Sequence, residues 1–446
     1  MLFKTKRFMY GVLKDSVCNK TGCYALLGAR KIGKTVLFLQ LKEFFGDKAE
    51  YFDCSSLGDD YSFDFNKYYE RLLSEEKKII LIDEVCKINV DFLADFVRYT
   101  KLYASQFCII ITGSVSYIVK KRCNEIGRGT YYYMPPFMYI ERLCWNYGYD
   151  EVDINCIKKY TSDELFKDYL KNQLMNDRDL MGYMQGVVED TILSYRERTF
   201  LEDCDFIDDN ILMKSLKYIS LCQLVYKKSN GTYVDIPSIE KELRTQIFED
   251  YKEAKNKWGL SSKDISNVLK LLLGCRLAKK VDYYKGDMIN IEKASISDDN
   301  VPALIFEFPY YCSICLSPKV QESESILDQW IEYALLIRAS YIYQYVDKYR
   351  ANDSVEVDVI YMTDKYNGIE VKNRPFKNNS ESYIREEEKW AQNIGLSEIV
   401  ITSSDSINRN DKVAACMELE YINVLISGRL DSDRTVKELL DFYGMD

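Results

Sequence analysis

Eight residues constrain this chain more than any other stretch. Gly28-Ala29-Arg30-Lys31-Ile32-Gly33-Lys34-Thr35 satisfies GxxxxGK[ST] at every fixed position. An apolar run at 23–27 precedes it and an apolar-periodic run at 35–45 follows, so the order is strand, glycine turn, helix, as a phosphate-binding loop requires. Gly28 and Gly33 let backbone amides turn toward phosphates, and the helix N-terminus adds its partial positive charge. Lys34 is placed to reach the β and γ phosphates of a nucleoside triphosphate, and the Thr35 hydroxyl to ligate magnesium. The expected ligand is ATP with Mg2+, held along the whole loop from Gly28 through Ala29, Arg30, Lys31, Ile32 and Gly33 to Thr35.

A second segment supplies the acids. Residues 78–82 are an apolar strand ending in Asp83-Glu84. Ligands of open α/β sheets bind beyond the carboxyl ends of the strands, so Asp83 should emerge beside the loop and hold magnesium, mostly through water. Glu84 is placed to orient or deprotonate the attacking water. Thr112-Gly113-Ser114 follows a third apolar strand at 107–112. Ser114 either senses the γ phosphate or caps a helix. Arg128, between Gly127 and Gly129, is either an arginine finger, in cis or across a subunit contact, or a solvated surface residue.

The fold class expected is α/β and multidomain. Strands at 23–27, 50–54, 78–82 and 107–112 alternate with helical pattern such as 90–103, which implies a parallel sheet covered by helices, the P-loop NTPase arrangement. At 446 residues, with about 150 residues per domain as a prior, several domains are expected. The boundaries read are 1–145 for the nucleotide-binding domain, 146–228 for a helical lid region, 229–316 for a winged-helix-like region and 317–446 for a last α/β unit. In the winged segment, Ser261 or Ser262 starts a helix with Asp264 in its first turn, and Lys263, Asn267 and Lys270 share one side that could meet a DNA groove or a protein surface. A hairpin-like stretch at 278–291 follows.

The last unit opens with a helix at 323–340, followed by strand-like runs at 342–345, 355–361 and 368–372, a helix at 382–393 and strands at 398–402 and 421–426. Val355-Glu356-Val357-Asp358-Val359 alternates strictly, which puts the valines on one face and Glu356 and Asp358 on the other. Ile369 and Val371 alternate with Glu370 and Lys372 in the same way. Paired as a hairpin, the two runs bring Asp358 and Glu370 close enough to share a divalent ion, with Lys372 beside them to stabilise a pentavalent phosphate. The same alternation is also what any half-exposed sheet shows.

Taken in order, GARKIGKT, LIDEV, ITGS, GRGTYYYMPPFMYIE, EVDVIYM and GIEVKN resemble a prokaryotic family, the AAA-type P-loop ATPases fused to a C-terminal PD-(D/E)xK nuclease-like domain, within the archaeal-type ATPase superfamily. These motifs span nearly the full length. The resemblance implies a restriction-endonuclease-like α/β fold for the last unit, with the Asp and Glu-x-Lys of its site on Asp358, Glu370 and Lys372. The preceding helical acid of that family is usually Glu; ILDQWIEYALL offers Asp328, with Glu332 one turn later. It also implies ATP-dependent work on nucleic acid and a helical, winged middle region.

Charge limits the partners. The net charge of −10 argues against a protein that coats nucleic acid by bulk electrostatics. The first 48 residues, however, hold ten Lys or Arg against three acids, so positive potential gathers at the phosphate loop. The absence of histidine excludes an imidazole base. Fourteen cysteines without a small-domain framework read as buried thiols of a reducing compartment, and Cys312 and Cys315 as core residues rather than a zinc pair. No apolar run reaches the ~18–20 residues of a membrane span, so the expectation is a cytoplasmic protein with no membrane partner. Three functions stay open: an ATPase coupled to DNA binding or cleavage, a nucleotide-switched regulator or scaffold on an inactive nuclease fold, and an ATPase acting on protein partners. A homo-oligomer is consistent with each.

Overall fold

A computed structural model describes residues 5–57, 63–88, 90–127, 129–153, 155–160, 163–171, 210–211, 214–215, 217–218, 225–228, 231–234, 256–274, 276, 278–280, 283–285, 292–294, 304–306, 324–343, 346–352, 355–371, 380–402, 413, 416–418 and 420. Its first unit is a five-stranded sheet in the order β2-β3-β4-β1-β5, with β1 Gly22–Leu27, β2 Ala49–Asp53, β3 Ile79–Asp83, β4 Cys108–Thr112 and β5 Thr130–Tyr133. Every neighbouring pair is parallel. Strands β3 and β4 are buried along their whole length. That is the reason for their unbroken apolar sequences, because helices cover both faces of a parallel sheet.

The helices that make these crossovers are α2 Lys34–Phe45, α3 Phe65–Ser74, α4 Val90–Tyr103 and α5 Ser116–Ile126; a short α1, Phe8–Val12, precedes β1. Asp64 caps α3 by accepting from the backbone N–H groups of Asn66 and Lys67. Where α3 meets α4, Tyr69 is fully buried, shares a 2.8 Å hydrogen bond with Thr100 and stacks on Tyr103. A parallel sheet has all its carboxyl ends on one edge. With β4 between β1 and β3, the turn after β1 and the acids ending β3 face each other across one strand width, ~5 Å to either side.

After β5 come α6 Tyr139–Asn146, α7 Asn155–Tyr160 and α8 Asp163–Lys171. The helical reading of 146–228 fails at its end: Val225–Lys228 is a strand, β6, paired antiparallel with β7, Gly231–Val234. Two short runs of β-branched and aromatic residues around an Asn-Gly pair are a hairpin signal that outweighs local helical period. Ser261 caps α9, Ser262–Gly274, in a reciprocal pair with Asp264, but Asn267 is buried and cannot meet a groove. Lys263 is exposed.

A second sheet runs β10-β9-β12-β13-β14-β15, in which β9 is Tyr283–Lys285, β10 Glu292–Ala294, β12 Val346–Asn352, β13 Val355–Met362, β14 Tyr366–Val371 and β15 Glu398–Thr402. A separate antiparallel pair joins β8 Ala278–Lys280 to β11 Leu304–Phe306. Helix α10, Glu324–Ile342, precedes β12, and α11, Ser380–Asn393, links β14 to its parallel neighbour β15. Helix α10 continues through the expected strand start at 342, because Leu335, Ala339 and Ile342 keep a buried helical stripe. Two strands of the sheet, β9 and β10, come from before residue 317. Residues 312, 315 and 421–426 lie outside the described residues.

The two units meet at a buried clasp. The Glu418 carboxylate accepts from the backbone N–H groups of Tyr139 and Ile140, 2.8 Å each, at the start of α6. It also receives Arg338 of α10, whose guanidinium donates to the Tyr169 hydroxyl as well. Among the described residues no helix is long and apolar enough to cross a membrane.

Candidate functional site

The loop between β1 and α2 is shaped by its glycines. A Cβ on Gly28 would lie 2.4 Å from the Ile32 side chain and 2.6 Å from the Met134 carbonyl, and Gly33 sits at φ +96° as the cap of α2. At Gly28 a side chain would have to displace the Met134 backbone, whereas at Gly33 there is room and the left-handed φ is what favours glycine. Ser116, the first residue of α5, closes the base of the loop: its Oγ lies 3.0 Å from the Gly28 nitrogen, which donates to it, and 3.1 Å from the Gly28 carbonyl. Ala29 and Ile32 are buried, Arg30 is half-buried and Lys31 is exposed.

Lys34 is 7% exposed, and its ammonium donates to the carbonyls of Gly28 (3.0 Å) and Ala29 (2.7 Å), so the loop wraps its own lysine. Burial lowers the Lys34 pKa from 10.5 to about 8, against the opposing pull of Glu84 and Asp83. The site therefore holds a cation with a weakened hold on its proton, one that added negative charge nearby would strengthen.

Asp83 is buried at the end of β3 with its carboxylate fully engaged. Thr35 Oγ1 donates to Oδ2 at 2.7 Å, the Tyr51 hydroxyl donates to the same oxygen at 3.1 Å, and the Glu84 N–H donates to Oδ1 at 2.8 Å. Burial raises the Asp83 pKa, with the Thr35 bond the largest opposing influence. Glu84 has a left-handed backbone, φ 51°, which a non-glycine residue adopts at a cost. Its Oε2 accepts from Ser114 Oγ at 3.0 Å. Helix α5 starts at Ser116 with Val115 in the cap position and no capping side chain, so Ser114 is not a helix cap.

Loop, Thr35, Asp83, Glu84 and Ser114 are thus brought to one edge of the sheet. Two contributors were not singled out from sequence. Tyr51 sits in the middle of β2 and carries no motif; Ser116 lies two residues past Ser114 and reads as an ordinary helix start. The Thr112 hydroxyl donates to the Leu26 carbonyl and is spent inside the sheet. Arg128 and Lys372 lie outside the described residues.

In the second sheet Asp358 and Glu370 are 9% and 5% exposed, so these two acids are covered rather than half-exposed. The strict alternation also breaks. Between Tyr349↔Val357 and Asp347↔Ile360 the β12–β13 register slips by one residue, a bulge that spans Asp358. Val357 consequently packs with Ala391, Ile394 and Leu396, away from the cluster that holds Val359. Asp358 Oδ2 accepts from the backbone N–H of Val371, at 2.7 Å, which brings its carboxyl to the end of β14 that carries Glu370. Asp328 and Glu332 both belong to α10. No group of three or more metal-ligating side chains occurs among the described residues.

Residues 20–143 match the model of a protein family described as an AAA domain. That match and the five-stranded parallel sheet support ATP binding and hydrolysis by this part of the chain. Among solved structures, the chain is similar to a DNA replication initiation factor at 14% identity, over 60% of this chain and 84% of that one, with a TM-score of 0.25. It is also similar to a signal transduction ATPase with numerous domains, carrying a tetratricopeptide repeat sensor, from Pyrococcus horikoshii. There the identity is 12%, over 76% of this chain and 50% of that one, with a TM-score of 0.26. No curated protein matches the chain.

Proposed function

We propose that the chain is a magnesium-dependent ATPase whose site is the loop at 28–35 with Asp83, Glu84 and Ser114. The observation that carries this reading is the convergence of Lys34, the Thr35–Asp83 pair and Glu84 on one sheet edge. Lys34 and the loop amides bind the phosphates. The Thr35 hydroxyl and Asp83 carboxylate, 2.7 Å apart, are a hard-oxygen pair of the kind magnesium takes alongside phosphate and water. Bound there, the ion would neutralise charge building on the transferred phosphoryl group. Glu84 orients the attacking water and receives its proton, and Ser114 holds the carboxylate at the mouth of the site. Replacing Lys34 by Ala is expected to weaken ATP affinity ~10–100-fold, the worth of one hydrogen bond to a charged group, read by calorimetry. Unchanged affinity would take Lys34 out of the site.

A pH dependence follows from the same lysine. A bound triphosphate raises the Lys34 pKa above its free value of about 8, so binding above pH 8 takes up a proton. ATP affinity should fall as pH rises past 8, approaching roughly tenfold per pH unit, and be independent of this group below about pH 7. Stability of the free chain has the opposite sign. The folded pKa is depressed from 10.5, so the cost of the buried charge is full below pH 8 and relieved toward pH 10.5. Binding heats measured at pH 8.5 in buffers of different ionisation enthalpy report the proton directly; identical heats would oppose the assignment.

The order α10-β12-β13-β14-α11-β15, with Asp358 and Glu370 buried together, supports a second reading for the last unit, metal-dependent cleavage of nucleic acid coupled to the ATPase. Two carboxylates held together in the interior repel unless a cation or proton neutralises them. Asp358, Glu370 and Lys372 would hold the ion and the scissile phosphate, with Asp328 or Glu332 completing the set. The full chain with ATP, Mg2+ or Mn2+ and double-stranded DNA, single-stranded DNA and RNA is expected to show cleavage that Asp358→Ala abolishes while ATP turnover persists. A wild-type chain that turns over ATP but cleaves none of these would assign the unit to a scaffold.

A further inference from the structure

We infer that Arg7 is a positioning residue for the phosphate loop, one that fixes the Gly33 amide in its phosphate-binding direction; the inference rests on the ATP reading of the site. Arg7 lies 21 residues before the loop and outside the 20–143 segment that matches the AAA domain. It is nevertheless 8% exposed, and three of its nitrogens are engaged. Nε donates to Glu141 Oε1 at 2.7 Å, one terminal nitrogen donates to the Ile32 carbonyl within the loop, and the other to the carbonyls of Pro135 (2.9 Å) and Pro136 (3.3 Å).

Glu141 is fully buried and equally engaged. Its Oε1 also accepts from the Phe8 N–H at 3.0 Å, and its Oε2 from the Met138 N–H at 2.8 Å at the start of α6. One ion pair therefore ties together the N-terminal arm, the phosphate loop and the segment leaving β5. A buried pair of this kind adds little net stability over apolar packing of the same shape, so its distinguishing consequence is the geometry it imposes.

That geometry acts through the Ile32–Gly33 peptide. The peptide unit is planar and trans, so its C=O and N–H point in opposite directions. Arg7 captures the Ile32 carbonyl, so the Gly33 N–H on the opposite edge of that peptide plane faces away from the guanidinium. Gly33, at φ +96°, is the residue with the greatest freedom to rotate that plane, and it has no side chain to hold it. A planar fork with several fixed donors can hold the carbonyls of Ile32, Pro135 and Pro136 together; a lysine, one point charge on a flexible stem, cannot.

The test uses the full-length chain with Arg7→Lys, and Glu141→Gln as a second variant that keeps the shape and, with its amide oxygen on the Met138 N–H, the α6 cap, but removes the charge and the acceptor that orient the guanidinium. ATP, ADP and AMP affinities are measured by displacement of a fluorescent ATP analogue, with the thermal midpoint of each nucleotide-free variant. The expected result is a loss of about 10- to 100-fold for ATP and ADP, the worth of a hydrogen bond to a charged phosphate, with AMP changed less than twofold. Glu141→Gln gives a smaller loss with the same ATP and ADP selectivity, and decides the matter if Arg7→Lys does not fold. A merely structural role would lower the thermal midpoint and leave the ratio of ATP to AMP affinity alone. An unchanged ratio in a folded variant, with the wild type binding ATP, overturns this inference by itself. A wild-type chain that binds no ATP overturns the nucleotide reading and this inference with it.

Discussion

Replacing Glu84 by Gln is expected to slow ATP turnover by about 10²–10⁴-fold, the usual worth of a general base, with nucleotide affinity unchanged. The substitution is nearly isosteric, so it keeps the left-handed backbone at φ 51° and a carbonyl oxygen that can still accept from Ser114. It removes only the ability to take a proton from water. Because Lys34, Thr35 and the loop amides are untouched, ground-state binding should persist, and a loss confined to kcat is the signature of an interaction made in the transition state. Phosphate release measured beside binding calorimetry separates the two. Equal hydrolysis by wild type and Glu84→Gln would remove Glu84 from the mechanism.

Replacing Glu418 by Ala should cost about 3–5 kcal/mol of stability, because it strands a buried partner. Glu418 is 1% exposed, and the variant leaves Arg338 without its carboxylate and the Tyr139 and Ile140 amides without an acceptor. The double variant Arg338→Met with Glu418→Gln removes both charges and keeps an acceptor at the start of α6. It should recover most of the loss, since the penalty lies in the unpaired charge more than in the missing attraction. Urea unfolding of the three proteins decides it. A Glu418→Ala loss below about 1 kcal/mol would mean that water reaches Arg338 and the clasp does not tie α10 to the first unit.

Much of the first unit was legible because its signals are local. A phosphate loop needs glycines at fixed offsets and a helix directly after, and strands buried on both faces need unbroken apolar runs, so the loop motif at 28–35 and the strands at 78–82 and 107–112 could be read in one dimension, the strands to within a residue. The acids ending β3 followed from a rule about parallel sheets, whose carboxyl ends share an edge. Ser114 stayed ambiguous because sequence does not say which residue starts α5. Helix α5 begins at Ser116, and that two-residue difference leaves the Ser114 hydroxyl for Glu84.

The last unit shows the limit of periodic reading. Alternation around Asp358 predicted valines on one side and acids on an open face, yet a one-residue bulge sends Val357 and Val359 to different clusters, and Asp358 and Glu370 are buried. A slip of one residue inverts every face beyond it, and nothing local announces it. The clasp at Glu418 and the Arg7–Glu141 pair were likewise invisible, joining residues 279 and 134 positions apart. The sequence by itself determined the glycine loop between β1 and α2, the parallel sheet and the acids at its edge, because each is set by spacing along a single segment. Only the tertiary structure decided that Tyr51 and Ser116 brace the site, that Arg7 reaches the Ile32 carbonyl of the loop and that Glu418 locks α6. Those contacts depend on which distant surfaces meet, and meeting is a property of packing rather than of any local pattern.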